Sequence, residues 1–280
     1  MAKSKATRSR NRCDVLIIGA GPAGLSFALS LRETGLDVRL VERQSKKTLA
    51  KPAYDGREIA LSLRSVDILK SIGAWSHIKP SEVSPLRSAK VINGRWNAPL
   101  HFDPDAVGED KLGCFVANNV IRRAVFAAYS AGDDSGLMAG AEMVDLTTGP
   151  EGGKVTLADG REIEADLIVA ADTRFSTART MAGITASTHD FGKTMIVTKV
   201  QLEQPHDKTA WECFLPGGTI AILPLNDNQA SIAQTLSHAE AKRQMALKGQ
   251  DYLDAATQRL DRRFGDMTAL SDRFSYPLIS

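Results

Sequence analysis

The sequence predicts an α/β fold, with a mainly parallel sheet that the chain enters several times and a second, β-rich layer built from the insertions. Three observations predict it. Val15–Ile18 is a short run that is apolar throughout and Ala165–Ala171 is apolar but for Asp166, as in strands buried on both faces of a parallel sheet. Between the first run and an apolar helix stands a glycine-rich turn at Gly19, Gly21 and Gly24. Alternating or β-rich segments punctuated by turn residues run over Ala89–Phe102 and Lys193–Ser237.

The first strand, Cys13–Ala20, runs straight into G-x-G-x-x-G at the strand-to-helix turn. The first glycine permits the tight turn, the second lets a pyrophosphate approach the backbone, and the third lets helix pack on strand. Pro22 suits the first helical position, where its missing N–H costs nothing. The helix N-terminus then offers free N–H groups and a positive dipole to phosphates. A second strand, Asp37–Glu42, ends in a carboxylate 18 residues beyond Gly24. At that spacing it accepts hydrogen bonds from ribose hydroxyls and repels a 2′-phosphate, so the Rossmann-like cradle suits FAD or NAD better than NADP. For Glu42 taken alone, a solvated strand-end charge is the competing explanation. Arg43, directly after it, is counted with the cofactor-binding residues.

Gln44–Tyr54 is a polar connector. Asp55, Gly56 and Arg57 then open a predicted helix whose apolar residues Ile59, Leu63, Val66, Leu69 and Ile72 recur at three or four, with Gly73 as its cap. A cation at a helix start opposes the dipole, so Arg57 implies an anionic partner. Ala89–Phe102 is β-rich and broken by Asn93-Gly94, a hairpin signal. Asn118 or Asn119 caps a helix over Val120–Ala131. Strands follow at Ala141–Thr148, Lys154–Ala158 and Ala165–Ala171, the last returning to the parallel sheet. Further strands are read at Thr194–Leu202, Ala210–Phe214, Thr219–Leu223 and Gln229–Leu236, then helical text over Ala239–Leu260 interrupted at Gly249.

A composition of 43% hydrophobic and 24% charged residues is that of a globular protein able to bury a core in 280 residues. Lys3, Lys5, Arg8, Arg10 and Arg12 sit in an acid-free leader, read as a disordered tail over 1–12, with contact to an anionic membrane as the alternative. The remainder carries 30 basic against 33 acidic residues, which argues against a nucleic-acid surface. No apolar segment follows the leader as a signal peptide requires, and no stretch approaches the roughly 20 residues of a bilayer span. Three scattered cysteines (13, 114, 213) and five dispersed histidines (77, 101, 189, 206, 238) suggest a reducing cytoplasm and no metal site.

Three further segments carry a family likeness: Asp55–Leu61 ahead of a helix ending Ile72-Gly73-Ala74-Trp75, Ala171–Arg179 after an apolar strand, and Trp211–Leu225. With the cradle they resemble the class A FAD-dependent aromatic hydroxylases of the ubiquinone-biosynthesis branch, of the demethoxyubiquinol hydroxylase type. The likeness implies a p-hydroxybenzoate-hydroxylase-like architecture. An FAD-binding domain is formed by 13–75, 113–185 and 265–280, with a β-rich substrate domain formed by 76–112 and 186–264. It implies that Gly19, Gly21 and Gly24 hold the FAD pyrophosphate and that Glu42 holds the adenosine ribose. Arg57 then reaches the phosphate and ribityl region, Asn118 lies near the ribityl chain, and the Val144 backbone lies beside the adenine. Asp172, Ser176 and Arg179 match a second flavin fingerprint, whose usual glycine is Thr173 here. Plainer explanations stand beside these: an N-cap for Asn118, a turn cap for Asp172, and core packing for Trp211 and Phe214, which otherwise line a quinone pocket with Pro216–Gly218.

The family continues into a third flavin motif and a long helix that complete the sheet. Here the chain stops at Tyr276–Ser280, so it is read as C-terminally truncated, with the final strand missing and an apolar sheet edge exposed. The implied function is hydroxylation of a prenylated phenol or quinol ring, with NAD(P)H and O₂ as co-substrates and an apolar pocket between the layers. No catalytic base is named by the sequence. Contact with the inner membrane or a biosynthetic complex is a further expectation. The alternatives are a flavin oxidoreductase without oxygenation, such as a prenyl reductase, and an inactive fragment serving as a scaffold.

Overall fold

A computed structural model describes residues 11–94 and 98–280. The leader residues Lys3, Lys5, Arg8 and Arg10 lie outside the described residues. Arg12 does not belong to a tail: it opens the first strand and pairs with Asp166 at 2.6 Å.

The chain begins β1 (Arg12–Ile18), α1 (Pro22–Ser30), β2 (Val38–Glu42), α2 (Lys46–Ala50), β3 (Glu58–Ser62) and α3 (Leu63–Ser71). Short strands β4 (Ser84–Leu86), β5 (Ser88–Asn93), β6 (Leu100–Phe102) and β7 (Gly113–Ala117) lead to α4 (Asn118–Ser130). Next come β8 (Leu137–Ala139), β9 (Met143–Gly149), β10 (Gly152–Leu157), β11 (Glu162–Ala170) and α5 (Thr177–Met181). Last are β12 (Asp190–Leu202), β13 (Thr209–Leu215), β14 (Gly218–Pro224), β15 (Gln229–Ser237), α6 (His238–Ala246), α7 (Gly249–Arg259), β16 (Met267–Ala269) and β17 (Phe274–Ile279). These form two compact units. One holds the chain up to Ala53, Leu69–His77 and Ile121–Ser187; the other holds Tyr54–Ile68, Ile78–Val120 and Thr188–Ser280.

In the first unit a six-stranded sheet runs in the order β8-β2-β1-β11-β10-β9. β1 is central and parallel to both neighbours, with Ile17 opposite Leu40 on one side and Val169 on the other. That position explains its unbroken apolar run: Leu16 and Ile17 are fully buried, each contributing about 1.5–3 kcal/mol. β11 returns parallel to β1 as predicted, although Asp166 and Leu167 are exposed and the strand is not buried on both faces, and β9 and β10 extend the sheet as an antiparallel pair.

The second unit holds a three-stranded sheet, β3-β7-β4, and an eight-stranded sheet in the order β16-β12-β15-β14-β13-β5-β6, with β17 also on β12. One face of the large sheet is the core. Ile196, Ile220, Ile222 and Ile232 pack there with Tyr252 and Leu253 of α7 and Ala241 of α6. Gly249 does interrupt the helical text, opening α7 rather than extending α6.

Two further expectations fail here. Asp55–Arg57 does not open a helix, because Glu58–Ser62 pairs residue for residue with Gly113–Ala117 as a strand and the helix starts only at Leu63. The argument that placed Arg57 against a helix dipole therefore lapses. Residues 265–280 were assigned to the nucleotide-binding domain, but β16 and β17 instead extend the large sheet of the second unit along β12. The alternating burial of Phe274–Pro277 suits a half-exposed edge strand, where Pro277 is tolerated, and not a strand buried on both faces.

Candidate functional site

The glycine turn of the first unit is built by backbone contacts that leave no room for side chains at two positions. Gly19 has φ +104°, and a Cβ there would lie 2.5 Å from the Ala171 carbonyl oxygen and 2.9 Å from the Asp172 Cα. A Cβ on Gly24 would lie 2.0 Å from the Gly19 carbonyl oxygen, so the helix can seat on the strand only with glycine there. Gly21 differs. A Cβ on it would meet nothing within 4 Å, so the turn opens there onto free space beside the first N–H groups of α1. Open volume at a helix N-terminus, bounded by main chain, is what a diphosphate requires.

Glu42 ends β2 and spans the turn. Its Oε2 accepts from the Ala20 N–H at 2.8 Å and its Oε1 from the Gln44 N–H at 2.7 Å. Each oxygen retains capacity for a further donor such as a sugar hydroxyl. Arg43 is exposed and makes no ion pair among the described residues. Asp172 follows β11, and because β11 lies beside β1 its backbone abuts Gly19. Partial burial raises the Asp172 pKa, but hydrogen bonds from the Ser176 side chain and from the Ala178 and Thr173 N–H groups outweigh that and hold it below the usual carboxylate range. Ser176 caps α5 by accepting from the Arg179 N–H at 3.0 Å, and the Arg179 Nε is buried without a partner. Val144 lies in β9, 48% exposed, at a point where the ladder to β10 skips it: Asp145 pairs with Thr156 and Met143 with Leu157. Such a bulge interrupts the ladder at Val144. The residues present fit FAD.

In the second unit the structure brings Arg57 and Asn118 together through Asp55, which sequence reasoning did not single out. Asp55 Oδ2 accepts from the Arg57 Nε at 3.0 Å and from the Asn118 Nδ2 at 2.8 Å, while the Tyr276 hydroxyl donates to the Asp55 carbonyl oxygen. Arg57 also stacks over the Tyr276 ring, 5.4 Å from its centre. Partial burial raises the Asp55 pKa, and the bonds from Arg57 and Asn118 more than reverse that. The only local signal was the i, i+2 spacing of Asp55 and Arg57. Asn118 is the first residue of α4, and its side-chain Nδ2 donates to Asp55. Trp211 and Phe214 part company. Trp211 packs on the core side against Phe264, between Lys90 and Arg263, while Phe214 is 47% exposed on the opposite face.

Glu58, next to Arg57, is pushed up to about 7 by burial, against the pull of Lys199, with Asp55 adding to the rise. A carboxyl whose folded pKa exceeds its unfolded value near 4.3 binds more protons folded than unfolded, so stability falls as pH rises between those values. Glu58→Gln is expected to remove that fall, raising the urea midpoint at pH 8 and leaving it nearly unchanged at pH 4. Equal midpoint changes at both pH values would contradict it.

Burial pushes the Cys13 and Cys213 thiols up to about 11, which makes them poor nucleophiles. Among the described residues no His, Cys, Asp and Glu group can hold a metal ion, and no helix is long and apolar enough to cross a membrane.

Over 270 residues the chain is 38% identical to ubiquinone hydroxylase UbiM of Neisseria meningitidis, covering 95% of this chain and 59% of UbiM. Over 269 residues it is 34% identical to ubiquinone hydroxylase UbiL of Rhodospirillum rubrum, covering 95% of this chain and 61% of UbiL. The chain thus spans about three-fifths of the length of these relatives, and the likeness to the ubiquinone-biosynthesis branch is borne out. The crystal structure of a Pseudomonas aeruginosa PqsL variant superposes with a TM-score of 0.78 over 96% of this chain and 74% of PqsL, at 19% identity, a likeness of fold alone. Residues 12–275 match the family described as FAD binding domain, a span running from the first residue of β1 into β17. The glycine turn and its strand-end carboxylate are therefore parts of a known cofactor fold, and the chain belongs to the FAD binding domain family.

Proposed function

We propose that the chain is the FAD-binding and ring-binding portion of a monooxygenase that hydroxylates a prenylated phenol or quinol, with NAD(P)H and O₂ as co-substrates. The observation that carries this is the cradle with open volume at Gly21, in a chain 38% identical over 95% of its length to a ubiquinone hydroxylase. When bound, the flavin supplies electron transfer and oxygen activation, chemistry that no side chain provides. The protein binds and orients. The first N–H groups of α1 and the glycine backbones hold the diphosphate, and Asp172 fixes the loop behind Gly19. Glu42, with Arg43 beside it, holds the adenosine ribose, and the Val144 backbone meets the adenine. Arg57 is assigned to the phosphate and ribityl region, with Asn118 near the ribityl chain. Asp55 keeps that guanidinium charged and aimed until an anionic group competes for it. A prenylated substrate partitions into lipid, so we place the protein in the cytoplasm with peripheral contact to the inner membrane or to neighbouring biosynthetic enzymes.

The test is uptake and turnover. Purified chain is titrated with FAD, following the loss of flavin fluorescence. It is then given NAD(P)H and a short-chain demethoxyquinol while oxygen consumption and products are measured. One flavin per chain with a hydroxylated ring product is the expected result. A chain that takes up no flavin in excess overturns the proposal, and flavin-dependent NAD(P)H oxidation without ring oxygenation assigns it to the reductases instead.

A further inference from the structure

Gln234 stands on the core face of β15, opposite Ile196 of β12 and Ile220 of β14, and is only 1% exposed. An amide buried among isoleucines is unfavourable unless it is hydrogen-bonded. Its Oε1 accepts from the Arg259 Nη1 of α7 at 2.7 Å, so the amide fixes a guanidinium in place. The Arg259 Nη2 is buried and has no partner. Glu240 of α6 acts on that guanidinium only through space, because its own oxygens are engaged by the Arg243 Nε at 3.0 Å and the Gln244 Nε2 at 2.9 Å. Burial pulls the Arg259 pKa below its usual value, and Glu240 and Tyr252 offset that only in part. The result is a half-buried cation without a contacting carboxylate.

An open cavity of about 390 Å³ lies against these groups. Its walls include Pro216 and Gly217 in the turn between β13 and β14, Glu240 and Gln244 of α6, and Arg259 of α7. Gln244 adds a second unmet group. Its Nε2 bonds Glu240, which fixes the orientation of the amide, and its Oε1 is buried without a donor. A desolvated guanidinium without a counter-ion favours an oxyanion, and an acceptor without a donor favours a hydroxyl group on the same molecule. Glu240 on the wall disfavours a second negative charge.

We propose that this cavity binds a small monocarboxylate bearing a hydroxyl group, with its carboxylate on Arg259 and its hydroxyl on Gln244. The occupied site ties α6 and α7 to the turn between β13 and β14. Every group it uses belongs to the second unit, so it stands apart from the nucleotide cradle and from the hydroxylase reading.

Lactate, propionate and inorganic phosphate are the probes. Each is titrated into the full chain at matched ionic strength against KCl, followed by ligand-observed NMR and by the thermal midpoint. Lactate is expected to bind about 5-fold tighter than propionate, which lacks the hydroxyl. Phosphate binds more weakly than lactate, and lactate raises the midpoint where KCl does not. Gln244→Met brings lactate down to the affinity of propionate and leaves propionate unchanged. Arg259→Met weakens lactate at least about 10-fold. Since that change alone strips Gln234 of its partner, Gln234→Leu with Arg259→Met is made beside it; the apolar pair fills the core, folds without an anion and does not respond to lactate. A wild-type chain that answers lactate no more than KCl holds water only in this cavity, and the inference is overturned. It is equally overturned if the double variant binds lactate as wild type does, if phosphate binds tighter than lactate, or if Gln244→Met weakens lactate and propionate alike.

Discussion

Gly21→Glu is expected to give a folded chain that takes up no flavin, whereas Gly24→Ala gives a chain whose first unit is destabilised before any ligand is added. The contrast follows from what each Cβ meets. At Gly21 there is nothing within 4 Å, and the backbone there, φ −73° and ψ −178°, is open to any residue. A carboxylate at that point also sits favourably at the N-terminus of α1, so the urea midpoint should hold or rise slightly. The same side chain occupies the volume assigned to the diphosphate and opposes its charge, which weakens flavin binding by at least about 100-fold. At Gly24 the Cβ would come within 2.0 Å of the Gly19 carbonyl oxygen and 3.3 Å of the Ile17 Cγ2. Main chain on one side and a buried strand residue on the other give no way to relax except by moving α1 off β1, at a cost of about 1–3 kcal/mol or more. Stoichiometric flavin in the Gly21→Glu chain would place the diphosphate elsewhere.

Glu42→Ala should lower both stability and flavin affinity, through the same two oxygens. Each accepts from a backbone amide, Ala20 in the glycine turn and Gln44 just past β2, so the carboxylate ties the turn to the neighbouring strand. Ala20 is 2% exposed, and its N–H would be left without a partner. Losing two hydrogen bonds to an ionised acceptor costs about 3 kcal/mol, read as a shift in the denaturation midpoint. Flavin affinity falls at least about 10-fold with the ribose contact. Glu42→Gln keeps one carbonyl acceptor and is expected to recover part of the stability. A Glu42→Ala chain as stable as wild type would show that the amides find other partners.

What was legible in the sequence was local. The glycine spacing, Pro22 and Glu42 fall within a single strand-helix-strand unit whose geometry is set by neighbours in the chain, and the structure builds the turn as that pattern requires. The hairpin at Asp159-Gly160 was legible for the same reason. What was not legible depended on distant partners. Ile59, Leu63 and Val66 satisfy a helical spacing, yet Ile59 and Leu61 equally satisfy a strand, and pairing with Val116 and Cys114 decides the matter. Asp55 was read only as part of a helix start, because neither Asn118 nor Tyr276 can be assigned to it without the fold. Trp211 and Phe214 are three apart on one strand and so face opposite ways, but which way is core depends on where α7 lies.

The neighbourhood of Gly19 and Asp172 has a consequence for biosynthesis. The turn is encoded by the first few dozen residues, but its wall is the end of β11, some 150 residues later. A nascent polypeptide emerging from the ribosome carries the fingerprint long before it carries the pocket. The vitamin-derived ligand can load only once Ala171 and Asp172 have been translated and docked, so arrested chains ending short of that point should remain colourless however much FAD surrounds them.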